Sequence, residues 1–126
     1  MCEYANDLQD AGTPPIDLEV LAVLDDPDDS SFLVQLIDLF LADASSLLAA
    51  LAAAASRGDL SAADQAAHGL KGSSASMGAQ SLAELCRRCL IAARDRGEGL
   101  ADLVPQVERE VSRVAAAMLD VVADRR

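Results

Sequence analysis

Residues 32–58 read FLVQLIDLFLADASSLLAALAAAASRG, the longest apolar stretch of this 126-residue chain. Apolar residues recur in it every three or four positions, at Leu33, Ile37, Phe40, Ala44, Leu47, Leu51 and Ala54. That spacing places them on one face of an α-helix, and Gly58 is a typical residue for ending one. The stretch therefore predicts a long amphipathic helix whose apolar face must pack against other helices.

This helix is also long enough to cross a bilayer, which requires about 20 apolar residues. Gln35, Asp38 and Asp43 interrupt it, and each aspartate would cost about 2.5–3.5 kcal/mol at the centre of a membrane. We therefore expect a helix of a soluble protein. The N-terminus carries Glu3 and Asp7 where a secretory signal has basic and then apolar residues, so a cytoplasmic location is expected.

The charge balance is strongly acidic. Ten Lys and Arg residues stand against 21 Asp and Glu residues, which gives a net charge of −11. Such a surface repels phosphate backbones and anionic lipids, so neither nucleic acid nor membrane is expected as a partner. Aromatic residues make up only 2% of the chain. The core must then consist of Leu, Val, Ile and Ala, a composition that favours helices over sheets.

Four other segments combine helical periodicity with start or stop signals. One is a short segment that begins after Asp17, and three follow the long helix, at about residues 60–77, 81–96 and 102 onward. Ser81 and Glu84 are expected to form a capping box, and Pro105 is expected in the first turn of the last helix. We predict an all-α protein, an antiparallel four-helix bundle of residues 16–126 with a short additional N-terminal helix, behind a flexible lead-in of residues 1–15.

Cys86 and Cys89 have the Cys-x-x-Cys spacing of some metal and redox sites. The chain shows no second ligand pair of the kind that zinc needs, and both residues lie on the apolar face of their predicted helix. We expect two buried side chains that act as small hydrophobic residues. A metal or redox role is the alternative, and it requires accessible thiols.

Residues 66–79, AAHGLKGSSASMGA, contain the only histidine and the only lysine of the chain. On a helical wheel the core stripe centres on Leu70, and His68 lies about 160° away, on the opposite face. From position alone, an incidental surface histidine is the simpler interpretation. The neighbouring residues favour a function.

The face around His68 carries the small residues Gly69, Gly72 and Ala75, with Asp64 and Gln65 on the preceding turn. A glycine inside a helix lowers helix stability by about 0.5–1 kcal/mol relative to alanine. Two glycines within one turn therefore indicate a constraint other than helix stability. Small residues would let the surface of a second protein close over the imidazole. The five residues are therefore candidate docking contacts, and no small-molecule pocket is expected.

Lys71 lies one helical turn after His68, at a spacing where side chains are neighbours. If His68 accepted a phosphoryl group, this ammonium could compensate the added negative charge. An exposed imidazole is largely neutral and nucleophilic at neutral pH, so it needs no dedicated base. Ser73 and Ser74 are candidates for supporting hydrogen bonds, with Ser74 expected to bond to its own helix backbone.

The run AHGLKGSSASMGA at 67–79, followed by LAELC at 82–86, resembles the signature of histidine-containing phosphotransfer (HPt) domains of bacterial multistep phosphorelays. The resemblance extends upstream through the long helix and covers about residues 16–120. It implies a four-helix bundle whose His68 takes a phosphoryl group from the aspartate of one receiver domain and passes it to the aspartate of another. By position, Lys71 resembles the nearby cation and Gly72 the small residue that lets a receiver approach.

The resemblance further implies a protein without kinase activity of its own. The receiver would supply the acidic pocket and the magnesium, and the chain shows no glycine-rich phosphate loop of an ATP site. Apolar or small residues near His68 and on the facing side of the long helix would form the docking surface, with Gln35, Asp38 and Leu39 as candidates. Gly69 and the pair Cys89-Leu90 depart from the family pattern, which bears on partner preference.

Two other interpretations remain open at this point. The chain could be a structural or adaptor bundle in which His68 is incidental. It could also be the phosphoacceptor domain of a chemotaxis-type or hybrid histidine kinase, which would normally continue into further domains. The initial Met and the C-terminal helix favour a free-standing protein. A monomer is expected, because a four-helix bundle can bury all of its apolar stripes internally.

Overall fold

The computed structural model describes residues 13–29 and 31–125, and these contain five helices. The helices are α1 (Leu18–Leu24), α2 (Phe32–Arg57), α3 (Leu60–Ser76), α4 (Gln80–Arg94) and α5 (Leu100–Arg125). No strand is formed by the described residues, so the all-α prediction is confirmed. Most of the predicted lead-in lies outside the described residues.

The four longer helices form an antiparallel bundle in which α2 and α4 each pack against α3 and α5. Two side-chain contacts show the direction of the chain. Asp43 of α2 meets Ser73 near the end of α3, and Asp64 near the start of α3 meets Arg94 at the end of α4. Consecutive helices therefore reverse direction across short turns, and the predicted bundle with a short helix in front is confirmed.

Glycine and aspartate shape the turns of the bundle. Gly58 ends α2 in the left-handed conformation, with φ of 73°, and its N–H donates to the carbonyls of Ala54 and Ala55. Gly78 has φ of 78°, and a Cβ atom there would lie 3.0 Å from the carbonyl oxygen of Asp17. The N–H of Asp17 donates to the Gly78 carbonyl at 2.9 Å. Glycine at this turn thus lets α1 rest against the link between α3 and α4.

Leucine, alanine, valine and isoleucine side chains make up most of the core, as the composition predicts. The largest that are almost completely buried are Leu21, Leu33, Ile37, Leu51, Leu70, Leu82 and Met118. Ile16 is buried beside them, and Asp17 caps α1 by accepting a hydrogen bond from the N–H of Glu19 at 2.9 Å. This cap is the start signal of the short helix that the sequence predicts after Asp17, and that prediction is confirmed.

The predicted start of α4 is wrong. The helix begins at Gln80 with Ala79 as its N-cap, so Ser81 lies inside the first turn and forms no capping box with Glu84. The reason is the tight turn before it, where the N–H of Ala79 donates to the carbonyl of Ser74 at 2.8 Å. Glu84 instead accepts two hydrogen bonds from Arg87.

The predicted start of α5 is also wrong, by two residues. The N–H of Leu103 already donates to the carbonyl of Gly99, so the helix begins at Leu100 and Pro105 lies in its second turn. Because proline has no N–H, it makes no hydrogen bond to the preceding turn. The helix continues regularly to Arg125, so packing of its apolar face outweighs this loss.

Among the described residues, α2 alone is long and apolar enough to cross a membrane. In the bundle its large apolar residues Leu33, Ile37 and Leu51 are fully buried, whereas its exposed positions are mainly Ala, Ser and Asp. Packing of these residues in the core of the bundle accounts for the apolar face of α2. One helix of this kind is weak evidence for a membrane segment.

Leu51→Ala should lower the free energy of unfolding by about 2–5 kcal/mol, because it leaves a cavity at a fully buried position of α2. Leu39→Ala on the same helix is the matched control. Leu39 is 68% exposed, and its truncation should change the free energy of unfolding by less than about 0.5 kcal/mol. Urea unfolding followed by circular dichroism measures both, and equal effects would contradict the assigned core face.

Candidate functional site

His68 lies in the middle of α3 with its side chain exposed. The opposite face of the helix carries Ala63, Ala67 and Leu70, which are fully buried between the neighbouring helices. Packing of this stripe sets the rotation of α3. The predicted outward orientation of the histidine is confirmed.

The two glycines beside His68 have different surroundings. A Cβ atom at Gly69 would lie 3.4 Å from both terminal methyl groups of Leu47, so this position closes the contact between α3 and α2. At Gly72, none of the described residues comes within 4 Å of the corresponding point. Ala75 and Gln65 are exposed as well. The open surface is thus centred on Gly72, and Gly69 is a packing position at its edge.

Lys71 is half-buried one turn after His68, and within the part of the chain described here it forms no ion pair. Its ammonium group is therefore not committed to a carboxylate. Its role as a cation near the imidazole stays a prediction.

Asp64 lies one turn before His68 and is bound by an arginine that the sequence analysis missed. Arg94 of α4 donates from Nε to Oδ2 of Asp64 at 3.0 Å and from Nη2 to Oδ1 at 3.2 Å. These hydrogen bonds are the main reason why the pKa of Asp64 is lowered, and the nearby charges of Arg94 and His68 act in the same direction. Asp64 is thus a bound carboxylate at the edge of the surface around His68.

The two serines after Lys71 have different roles from those predicted. The hydroxyl of Ser73 donates to Oδ2 of Asp43 at 3.1 Å, which joins α3 to α2. The hydroxyl of Ser74 is buried and has no hydrogen-bond partner among the described residues, so the predicted bond to its helix backbone is not formed. Asp43 was not singled out as a site residue, and only its contact across the helix pair reveals it.

Gln35 lies far from His68. It lies in the first turn of α2, where its side-chain amide donates to the hydroxyl of the N-cap residue Ser31 at 3.2 Å. Leu47, the α2 residue that meets Gly69, lies 12 residues further on, about 18 Å along the helix axis. The structure therefore does not bring Gln35 into the surface around the histidine.

A shallow groove between α2 and α3 adjoins this surface on its C-terminal side. It is lined by Leu36, Leu39, Phe40, Asp43, Ser73, Ser76 and Met77. Leu39, a predicted docking contact, is 68% exposed at its rim. Asp38 is also exposed but does not line the groove. The groove is mainly apolar, with the Asp43–Ser73 pair as its polar part.

Fold and site together define a class of protein: a four-helix bundle that presents one exposed histidine beside small residues and a cation. The Hpt domain family model matches residues 35–117. The crystal structure of histidine-containing phosphotransfer protein B (HptB) from Pseudomonas aeruginosa PAO1 is similar, with a TM-score of 0.83 and 33% sequence identity. The match covers 90% of this chain and 99% of that chain.

A search of curated protein sequences gives no significant match. The family match covers well over half of the chain. The chain therefore belongs to the Hpt domain family, and its function is histidine phosphotransfer in a phosphorelay. Its partners are of the receiver-domain kind.

Cys86 and Cys89 are fully buried in the core face of α4, as the periodicity predicts. Burial raises the pKa of the Cys86 thiol to about 12, with a contribution from Cys89, and burial raises that of Cys89 to about 11. The accessible thiols that a metal or redox role requires are therefore missing at this pair.

In a Cys2→Ser variant, Cys86 and Cys89 should not react with a disulfide reagent at about pH 8, because thiolate is the reactive form and these thiols stay protonated. Both should react once the protein is unfolded in guanidinium chloride. The absorbance of the released thiol measures the reaction. Rapid labelling of the native variant would show that the pair is accessible after all.

Proposed function

We propose that His68 is the phosphoacceptor, which takes a phosphoryl group from the aspartate of one receiver domain and passes it to the aspartate of another. The observation that carries this proposal is the placement of the only histidine of the chain on the open face of α3. The opposite face of the helix is buried, so the histidine is held toward solvent.

The chemistry is a reversible exchange of one bond to phosphorus. The lone pair of the unprotonated ring nitrogen forms the N–P bond while the P–O bond to the aspartate breaks. The aspartate leaves as a carboxylate, and the other ring nitrogen keeps its proton. Transfer to the next receiver reverses these changes. This chain contributes a nucleophile that is already positioned, so much of its effect is orientation of the two reacting groups.

Lys71 and Gly72 have supporting roles in this proposal. The ammonium of Lys71 lies one turn from the imidazole, and it would offset the negative charge of the phosphoryl group. Gly72 leaves the helix backbone bare next to His68, and this allows a receiver to bring its aspartate within bonding distance. The groove between α2 and α3 extends the apolar part of the contact.

Magnesium would enter with the receiver. The described residues hold no cluster of three or more His, Cys, Asp or Glu side chains that could bind a metal ion. The surface around His68 is also unsuited to a cation, because its carboxylate, Asp64, is bound by Arg94 and the ammonium of Lys71 lies one turn from the histidine. Bound in the acidic pocket of the receiver, the ion would neutralise phosphoryl charge during transfer. We further propose that the protein acts as a monomer in the cytoplasm.

His68→Gln should abolish labelling from a radiolabelled receiver domain in the presence of magnesium. The wild-type label should survive alkali and be lost in acid, as expected for phosphohistidine. His68 is exposed, so the variant should keep its helical circular dichroism and its unfolding midpoint. Equal labelling of the two proteins would contradict the proposal, and an unlabelled wild type with several receivers would favour an adaptor bundle.

Gly72→Leu should slow transfer from a receiver by about tenfold or more, because the new side chain occupies the approach to His68. Phosphorylation by potassium phosphoramidate, a small donor that needs no docking, should be unaffected. Gly72→Ala should raise the free energy of unfolding by about 0.5–1 kcal/mol, since glycine is the poorer helix former. Initial rates and urea unfolding measure these effects, and equal slowing with both donors would argue against a docking role.

A further inference from the structure

We propose that Asp43 decides which receiver domains this chain accepts. It selects receivers that place a lysine or arginine at one end of a helix lying in the groove between α2 and α3. The inference rests on the proposed function and deepens it, because it names a residue that distinguishes between partners of one class.

The groove has an end that adjoins the surface around His68. Asp43 of α2 meets Ser73, which is nearer to the histidine along α3 than Met77 at the other end of the lining. Because the two helices are antiparallel, Leu36 is the lining residue of α2 that is farthest from the histidine. Seven positions separate it from Asp43, about 10 Å along the helix axis. The acidic side chain therefore lies at the end of the groove where a docked receiver approaches His68.

The rest of the α2 side of the groove is apolar. Leu36, Leu39 and Phe40 line it, and together with Asp43 they recur every three or four positions, as residues on one helix face do. Leu39 is 68% exposed, so the groove offers apolar area that the chain does not cover itself. A groove of this length fits about two turns of a partner helix that inserts its own apolar face.

The negative charge of Asp43 is not compensated within the described part of the chain. Its Oδ2 accepts a hydrogen bond from the hydroxyl of Ser73 at 3.1 Å, and no described lysine or arginine forms an ion pair with it. Asp64 and Asp25, which also contact another helix, are each paired with an arginine. A neutral hydroxyl holds the carboxylate of Asp43 in place without cancelling its charge. The charge is thus available to a cation of the partner.

Asp43 is the charged residue in the groove lining, so it determines which charge a partner helix can place there. A lysine or arginine opposite it forms an ion pair. An aspartate or glutamate in the same place meets a like charge at the edge of an apolar contact, which is strongly unfavourable. The net charge of −11 attracts basic surfaces in general, but it does not distinguish one place on the bundle from another.

Transfer rates from a panel of purified, radiolabelled receiver domains measure this selection. Half of the panel carries lysine or arginine on a helix beside the phosphorylated aspartate, and the other half carries aspartate or glutamate there. With the basic half, Asp43→Asn should slow transfer by about two- to fivefold and Asp43→Lys by about tenfold or more. With the acidic half, Asp43→Lys should speed transfer.

Glu108→Lys is the matched control. Glu108 is exposed on α5, which packs against α2 and α4, and the substitution changes the net charge by the same amount as Asp43→Lys. It should stay within about twofold of the wild type with every receiver, because screening by salt weakens a distant charge. Labelling of His68 by potassium phosphoramidate should be equal in all variants, and thermal unfolding confirms that each is folded.

Two further measurements identify the ion pair itself. Transfer from a basic receiver should fall more steeply with added sodium chloride for the wild type than for Asp43→Asn. In the basic receiver that responds most strongly, replacing the lysine or arginine with aspartate should restore transfer to Asp43→Lys. A merely structural role of Asp43 would not be reversed by a change in the partner.

The outcomes separate this inference from the proposed function. If receivers label the wild type, but Asp43→Lys matches it with both halves of the panel, the inference is overturned and the proposed function stands. Equal slowing by Glu108→Lys also overturns the inference, because the overall charge then accounts for the effect. If no receiver labels the wild-type chain, both proposals fail.

Discussion

The close packing of the inner face of α3 is the interaction on which the site depends. Ala63, Ala67 and Leu70 are fully buried between α2 and α4, and the small alanines let the neighbouring helices approach closely. This contact fixes the rotation of α3 about its own axis. A rotation by one residue, about 100°, would turn His68 away from solvent and would expose apolar side chains. Stability of the bundle and presentation of the histidine are therefore two results of the same contact.

The surface around His68 combines a closely packed glycine position with an open one. Gly69 admits the methyl groups of Leu47 and so closes the helix pair beneath the site, whereas Gly72 leaves its surroundings empty of the described side chains. Lys71 adds a positive charge near the histidine, and the charge of Asp64 is offset by its ion pair with Arg94. A site of this kind suits a protein that acts in contact with a second protein, because it presents an exposed imidazole on an open helix face.

Local patterns predicted much of the architecture because they reflect interactions within one helix. Periodicity identified the core face of α2 and the outward position of His68, and the caps at Asp17 and Gly58 follow from residue chemistry. The predicted starts of α4 and α5 were wrong because the backbone hydrogen bonds of the preceding turn, and not a capping residue, set the first residue of each helix. The bond from Ala79 to the carbonyl of Ser74 depends on how α3 ends, and no capping residue marks it.

By itself, the sequence determined the all-α class, the helices, the buried stripes and the single histidine with its lysine on an outer face, because these depend on side chains within a few positions of one another. Only the tertiary structure decided which distant residues meet there. Arg94 binds Asp64 and Ser73 binds Asp43, each across 30 positions of the chain, and Leu47 lies under Gly69. The physical reason is register, the axial offset between antiparallel helices. The turns and the core packing set this offset, and no local sequence pattern records it.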